Sequence, residues 1–219
     1  MYIPLVYLFL IPPILYFVFF KKIGRDVKII TLVGYCIIMF LNIKFGETYL
    51  PAKIQYPVYT FSEFTFFAIL ILQQLKGKGA RLFLKLTSLF FLFFQTIYFL
   101  LEHKKKFDSV PIGVETILIF IFVSLFFAEQ LKQVDENPIY TNYFFWIAVG
   151  LIVYLGGSFF IFILTNSLSS SEIDSFWYWT FIAEIIKNLL IIFAIFLYAK
   201  RKPQNNNQPN RSIPYLDMI

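Results

Sequence analysis

A chain of 219 residues that is 59% hydrophobic and only 15% charged carries more apolar surface than a soluble domain of this size can bury. Its 30 phenylalanines and mean hydropathy of +0.72 point to lipid as the solvent. The net charge of +6 sits in short clusters between apolar runs, which predicts a membrane orientation and gives no reason to invoke nucleic acid.

Seven apolar runs follow in chain order, at residues 1–20, 27–43, 56–75, 82–101, 110–128, 141–165 and 176–198. Each is near the ~20 residues a helix needs to cross a bilayer. Open strands would leave backbone groups unpaired in hydrocarbon, so every run is predicted to be helical. The expected fold is an all-α membrane protein, a seven-transmembrane helical bundle over 1–199 with a short polar tail at 200–219.

The first run contains Pro12 and Pro13, which remove two helix hydrogen bonds and predict a bend. Its first charge, Lys21, follows the apolar stretch, whereas a cleavable signal peptide has a basic start. The second run is the shortest, and Cys36 within it is the only cysteine, so it reads as a packing residue. The third carries Glu63, with Tyr59 and Phe67 four residues to either side. The fourth carries Gln95 and Thr96, and the loop after it holds His103 and the run Lys104–Lys106. A single histidine excludes haem ligation by a histidine pair and a histidine-rich metal site.

The fifth run holds Glu115. The sixth opens among Tyr140, Tyr143 and Trp146, the pattern of an interfacial aromatic belt. Its Gly150, Gly156 and Gly157 allow close helix approach. The seventh opens on Trp177, Tyr178 and Trp179, a second belt, and places Glu184, Lys187 and Asn188 at i, i+3 and i+4 on one helix face. The asparagine-rich, proline-containing stretch 201–211 predicts disorder, and the more apolar 212–219 reads as a frayed terminus.

Basic residues set the orientation. Lys21, Lys22, Arg25, Lys28, Lys76, Lys78, Arg81, Lys85, Lys132 and the tail cations Lys200, Arg201, Lys202 and Arg211 fall on one side. Only Lys44, Lys53 and Lys104–Lys106 fall on the other. The predicted topology therefore has the N-terminus outside and the C-terminus in the cytoplasm. The loop before the seventh run carries no basic residue, in keeping with an outside location.

A charge inside a span costs roughly 2.5–3.5 kcal/mol on insertion scales, so it marks a site more often than filler. Glu63, Glu115, Glu184 and Lys187 are such charges. With this topology the three glutamates lie roughly 8–12 Å below the outer ends of their helices, and Lys187 and Asn188 lie one turn deeper. Candidate ligand-binding residues are Glu63, Glu115, Glu184, Lys187, Asn188, Tyr59 and Gln95, around a polar pocket open to the outside. Glu63 and Glu184 would orient a ligand, and Lys187 would bind an anionic group or hold Glu184 charged. The alternative is a pairing of Glu184 with Lys187 inside one helix, with Glu63 and Glu115 protonated. No HExxH, Gly-rich phosphate loop or Gly-x-Ser-x-Gly is present, so no metal, cofactor or catalytic residue is predicted.

The glutamate in the third run, the segment Phe145-Trp-Ile-Ala-Val-Gly-Leu-Ile-Val-Tyr154 followed by Gly156, and Ile185-Ile-Lys-Asn-Leu189 carry a loose likeness. Together with seven runs and an outside N-terminus, they resemble the N-terminal seven-helix sensory region of some bacterial histidine kinases. Small stand-alone bacterial membrane proteins similar to that region share the pattern. The likeness covers nearly the whole bundle, but the kinase portion is absent from this sequence. It implies a small-molecule sensor of the bacterial inner membrane that signals through a separate cytoplasmic partner, such as a histidine kinase.

Other readings rest on single features. A small transporter would use Glu63 or Glu184 as a proton site, and a packing subunit of a membrane complex would satisfy the charges with partner helices. A lipid-modifying enzyme would use two carboxylates as acid and base. Retinal proteins also have a lysine in the seventh helix, but Glu184 is three residues before Lys187 where they usually have an acid four before. Seven-helix sugar transporters have paired three-helix repeats, and the prolines here do not match between halves.

Overall fold

The computed structural model describes residues 6–101, 109–132, 138–164 and 170–200, and among these it is all helical. His103, Lys104–Lys106 and the tail beyond Lys200 lie outside the described residues, as does the side chain of Trp177. A short 3-10 turn, Tyr7–Leu10, leads into α1 (Ile11–Val18) and α2 (Phe20–Ile23). Then come α3 (Val27–Tyr49), α4 (Ala52–Leu72), α5 (Lys78–Leu100) and α6 (Ser109–Lys132). A second 3-10 turn, Ile139–Thr141, precedes α7 (Tyr143–Leu164) and α8 (Ser170–Lys200).

Among the described residues, four stretches are long and apolar enough to cross a membrane: Val27–Gly46, Lys78–Leu100, Val110–Lys132 and Tyr178–Lys200. Tyr7–Val18 and Tyr143–Phe159 are shorter apolar helices. α4 has 21 residues but interrupts its apolar face with Gln55, Thr60, Ser62 and Glu63.

The helices outrun the apolar runs. α3 continues past residue 43 to Tyr49, and α8 begins at Ser170 rather than 176. Hydropathy marks only the lipid-compatible part of a helix, while the hydrogen-bond ladder runs on until a stop signal. Pro51, which cannot donate to the ladder, stands just past the end of α3. The first run is broken more than a bend would require. Pro12 and Pro13 occupy the first turn of α1, where missing N–H groups cost nothing, and the chain before them takes the tighter 3-10 form.

The most extensive contact joins α7 to α8, followed by α3 to α4. Glycines explain the first. A Cβ on Gly150 would sit 3.4 Å from the Lys187 backbone, and one on Gly157 would sit 2.9 Å from Ala183 Cβ. Buried rings fill the space between α4, α5, α6 and α7: Phe64 meets Phe91 at 4.4 Å between centroids, and Phe126 meets Phe144 at 4.8 Å. α5 is the least enclosed helix. Its Leu86, Leu89, Phe90 and Phe93 face outward, as residues in contact with lipid would.

One end of the bundle is tied by polar contacts. The Asp26 side chain accepts from the Lys28 N–H (2.8 Å) at the start of α3 and from the Tyr198 hydroxyl near the end of α8. The Glu129 carboxylate accepts from the backbone N–H groups of Lys76 (2.8 Å) and Gly77 (3.0 Å), capping α5 from α6. Tyr143 stands at the first position of α7. It is buried, and its hydroxyl accepts from Gln74 Nε2 at 2.9 Å. Trp146 donates its indole N–H to the Tyr140 carbonyl, and Tyr178 and Trp179 are exposed.

Candidate functional site

A buried lysine forms the centre of the core. Lys187 lies on α8 and has no solvent exposure. Its ammonium is 2.9 Å from Glu184 Oε1, one turn earlier on the same helix, and 3.6 Å from Glu63 Oε1 on α4. It also donates to the Tyr35 hydroxyl of α3 at 2.8 Å. Four rings surround it, those of Phe9, Tyr35, Phe67 and Tyr154, with the Tyr154 centroid 3.8 Å away. Aromatic faces attract a desolvated cation, by about 2 kcal/mol or more where water is excluded.

Glu63 collects three hydroxyls. Tyr154 of α7 donates to Oε2 at 3.2 Å, and Tyr35 and Tyr59 approach Oε1 at 3.4 and 3.5 Å. The Tyr59 and Tyr154 hydroxyls are 3.3 Å apart, so the network closes on itself. Asn188 secures the other carboxylate: its Nδ2 donates to Glu184 Oε1 at 2.9 Å and to the Glu184 carbonyl at 3.0 Å. Helical geometry makes this possible, because positions 184, 187 and 188 share one face of α8. Gly150 lets α7 approach that face closely enough for Tyr154 to reach across.

Five of the seven candidate residues therefore meet: Glu63, Tyr59, Glu184, Lys187 and Asn188. Glu115 of α6 is 2% exposed and lies within electrostatic range of Glu63 and Lys187, yet its Oε1 has no hydrogen-bond partner. Gln95 of α5 is fully buried and makes none of these contacts. It lines a separate groove between α4 and α5.

Sequence reasoning missed Tyr35 entirely and weighed Tyr154 only as part of a likeness. A signal was available. Tyrosines favour the membrane interface, so a tyrosine eight residues into a 23-residue apolar helix calls for a buried partner.

The electrostatics are unbalanced. Besides Glu115, which lies within electrostatic range, two carboxylates contact one ammonium, which donates to Glu184 and Tyr35 and pairs with Glu63 at 3.6 Å. The unpaired polar atoms beside it, Glu115 Oε1 and Asn188 Oδ1, are acceptors. Such a site favours a proton, a cation or a hydrogen-bond donor over an anion. Among the described residues, no group of three His, Cys, Asp or Glu side chains could hold a metal ion. No family model, curated protein or solved structure matches the chain.

Proposed function

We propose that this chain is an integral membrane sensor of seven helices, N-terminus outside and C-terminus in the cytoplasm of a bacterial inner membrane. It binds a small ligand at the buried charge network and signals to a separate cytoplasmic partner. One observation carries the reading: a buried lysine paired with two carboxylates, with a third carboxylate in electrostatic range left partly unpaired. A network that served packing alone would gain by replacing Glu115 with an apolar residue, because buried unpaired polar groups cost stability.

The expected ligand chemistry changes with the geometry. Lys187 is already paired with two carboxylates, which repel an anionic group, so the ligand is a cation or a neutral donor that reaches Glu115 and Asn188. Binding there shifts the pull of Glu63 on Lys187, and with it the fit of α8 against α4 and α7. A signal requires different affinity for two arrangements of these helices.

Thermal unfolding of the detergent-purified protein against a library of metabolites, amines and lipids tests this. A compound that raises the Tm of wild type but not of Glu63→Gln or Glu115→Gln supports the sensor. If nothing stabilises wild type and Glu63→Gln is strongly destabilised, the network is a structural lock and the packing-subunit reading replaces the sensor.

A further inference from the structure

Apart from the charge network, a groove of about 370 Å³ lies between α4 and α5. That volume is within the usual 300–1,000 Å³ range of small-molecule sites. Ile54, Pro57, Val58 and Phe61 form one wall, and Phe99 and Leu100 form the other. Ser62, Gln95 and Thr96 supply the polar groups, of which Gln95 is the unusual one. Its residue is 0% exposed, and neither its Nε2 nor its Oε1 has a hydrogen-bond partner.

A buried carboxamide with both ends unsatisfied is costly, and the cost is recovered only by a partner that accepts and donates together. Ser62 and Thr96 do not fill this role: Ser62 is engaged with Asn42, Thr96 donates to the Leu92 carbonyl, and neither bonds the Gln95 carboxamide. The surroundings limit the partner further. α5 turns large apolar side chains outward along its length, so the groove opens to lipid rather than to a water-filled vestibule. Pro57 shapes its rim, because a proline within α4 withholds one ladder hydrogen bond and pushes the preceding turn away.

We infer that this groove binds a membrane-dissolved amphiphile with an apolar chain and one neutral headgroup that both donates and accepts, as a primary amide does. Gln95 is closed off in this structure, so the headgroup pairs with its carboxamide after the side chains over it give way, and the chain lies along Val58, Phe61 and Phe99. This site is distinct from the charge network and does not depend on the sensor reading. None of its lining residues contributes to the contacts of Lys187, Glu63 or Glu184.

The test uses the full chain in nanodiscs and decanamide carrying a diazirine at its chain end. Photolabelling should fall on peptides containing Ile54–Ser62 or Thr96–Leu100. Unlabelled decanamide should compete roughly three- to tenfold better than methyl decanoate, which accepts but cannot donate. Gln95→Leu should fold at least as well as wild type and lose the preference between the two competitors. Val58→Trp, which fills the groove from a partly exposed position, should abolish labelling. Equal competition by decanamide and methyl decanoate in wild type overturns the inference, as does a preference that survives in Gln95→Leu.

Discussion

Lys187→Met is the sharpest perturbation of the core. Methionine nearly matches the lysine stem in volume and suits the ring of Phe9, Tyr35, Phe67 and Tyr154, so packing is largely kept. What is lost is the one charge that two carboxylates share, at 2.9 and 3.6 Å. Removing one partner of a buried ion pair costs about 3–5 kcal/mol, because the other is left uncompensated. For a chain of this length each kcal/mol shifts Tm by about 2–4 °C, so the expected loss is roughly 6–20 °C. The second arm is the double variant Lys187→Met with Glu184→Gln. It removes one stranded charge while leaving Asn188 an acceptor to bond, and should recover part of the loss. Thermal unfolding in one detergent, followed by circular dichroism, measures all four corners of the cycle. Coupling in contacting residues is typically about 0.5–3 kcal/mol. A Lys187→Met loss below about 1 kcal/mol, or strict additivity of the two changes, would show that the network is solvated and that its charges do not depend on one another.

Other sites give independent tests. Gly157→Val brings a side chain to where a Cβ alone would already lie 2.9 Å from Ala183 Cβ, and overpacking of this kind costs about 1–3 kcal/mol by the same unfolding assay. Gly79→Ala, with nothing within 4 Å of its new Cβ, should be neutral or stabilising by up to about 1 kcal/mol, and a large loss there would discredit the glycine argument. Glu129→Ala strips the cap from α5 and should cost about 1–2 kcal/mol, seen as faster amide hydrogen exchange at Lys76 and Gly77; unchanged exchange would mean the cap is not formed in solution. In a Cys36→Ala background, a cysteine at Tyr49 should react with an impermeant maleimide on intact cells, whereas one at Lys22 should react only after lysis. The opposite pattern would invert the topology.

Much of the chain's architecture was legible because lipid leaves few options. Apolar runs of span length become helices whatever their neighbours do, and Gly150 and Gly157 meet α8 as small residues in such helices should. Boundaries were less legible, because hydropathy reports the solvent of a side chain and not the end of a hydrogen-bond ladder. That is why α8 begins at Ser170. The site was legible in part. Rare charges named Glu63, Glu184 and Lys187, but single-helix reasoning could pair only Glu184 with Lys187. The contacts across α3, α4 and α7 depend on helix rotation, which is fixed by packing among many phenylalanines of similar hydropathy. The same gap placed Gln95 with the charges, when its helix turns it toward α4 and the groove.

The position of Lys187 along α8 gives the network a mechanical reach. Tyr198 stands eleven residues further on, roughly 16 Å along the axis, and eleven residues make close to three whole turns. The two side chains therefore share a face of one rigid element. Ile191 and Ala194, buried between them, hold that face against the bundle. Lys187 grips α3 and α4 through Tyr35 and Glu63, while Tyr198 grips the start of α3 through Asp26. A ligand that draws Glu63 away loosens the first grip, and any rotation of α8 that follows must strain the second. Tyr198→Phe removes the second grip alone. In a sensor it should leave ligand-induced stabilisation within about 0.5 kcal/mol of wild type while altering exchange at the Lys28 amide that Asp26 caps. If Tyr198→Phe instead abolishes the ligand response, the two ends of α8 form a single binding unit. Transmission along the helix would then be the wrong description.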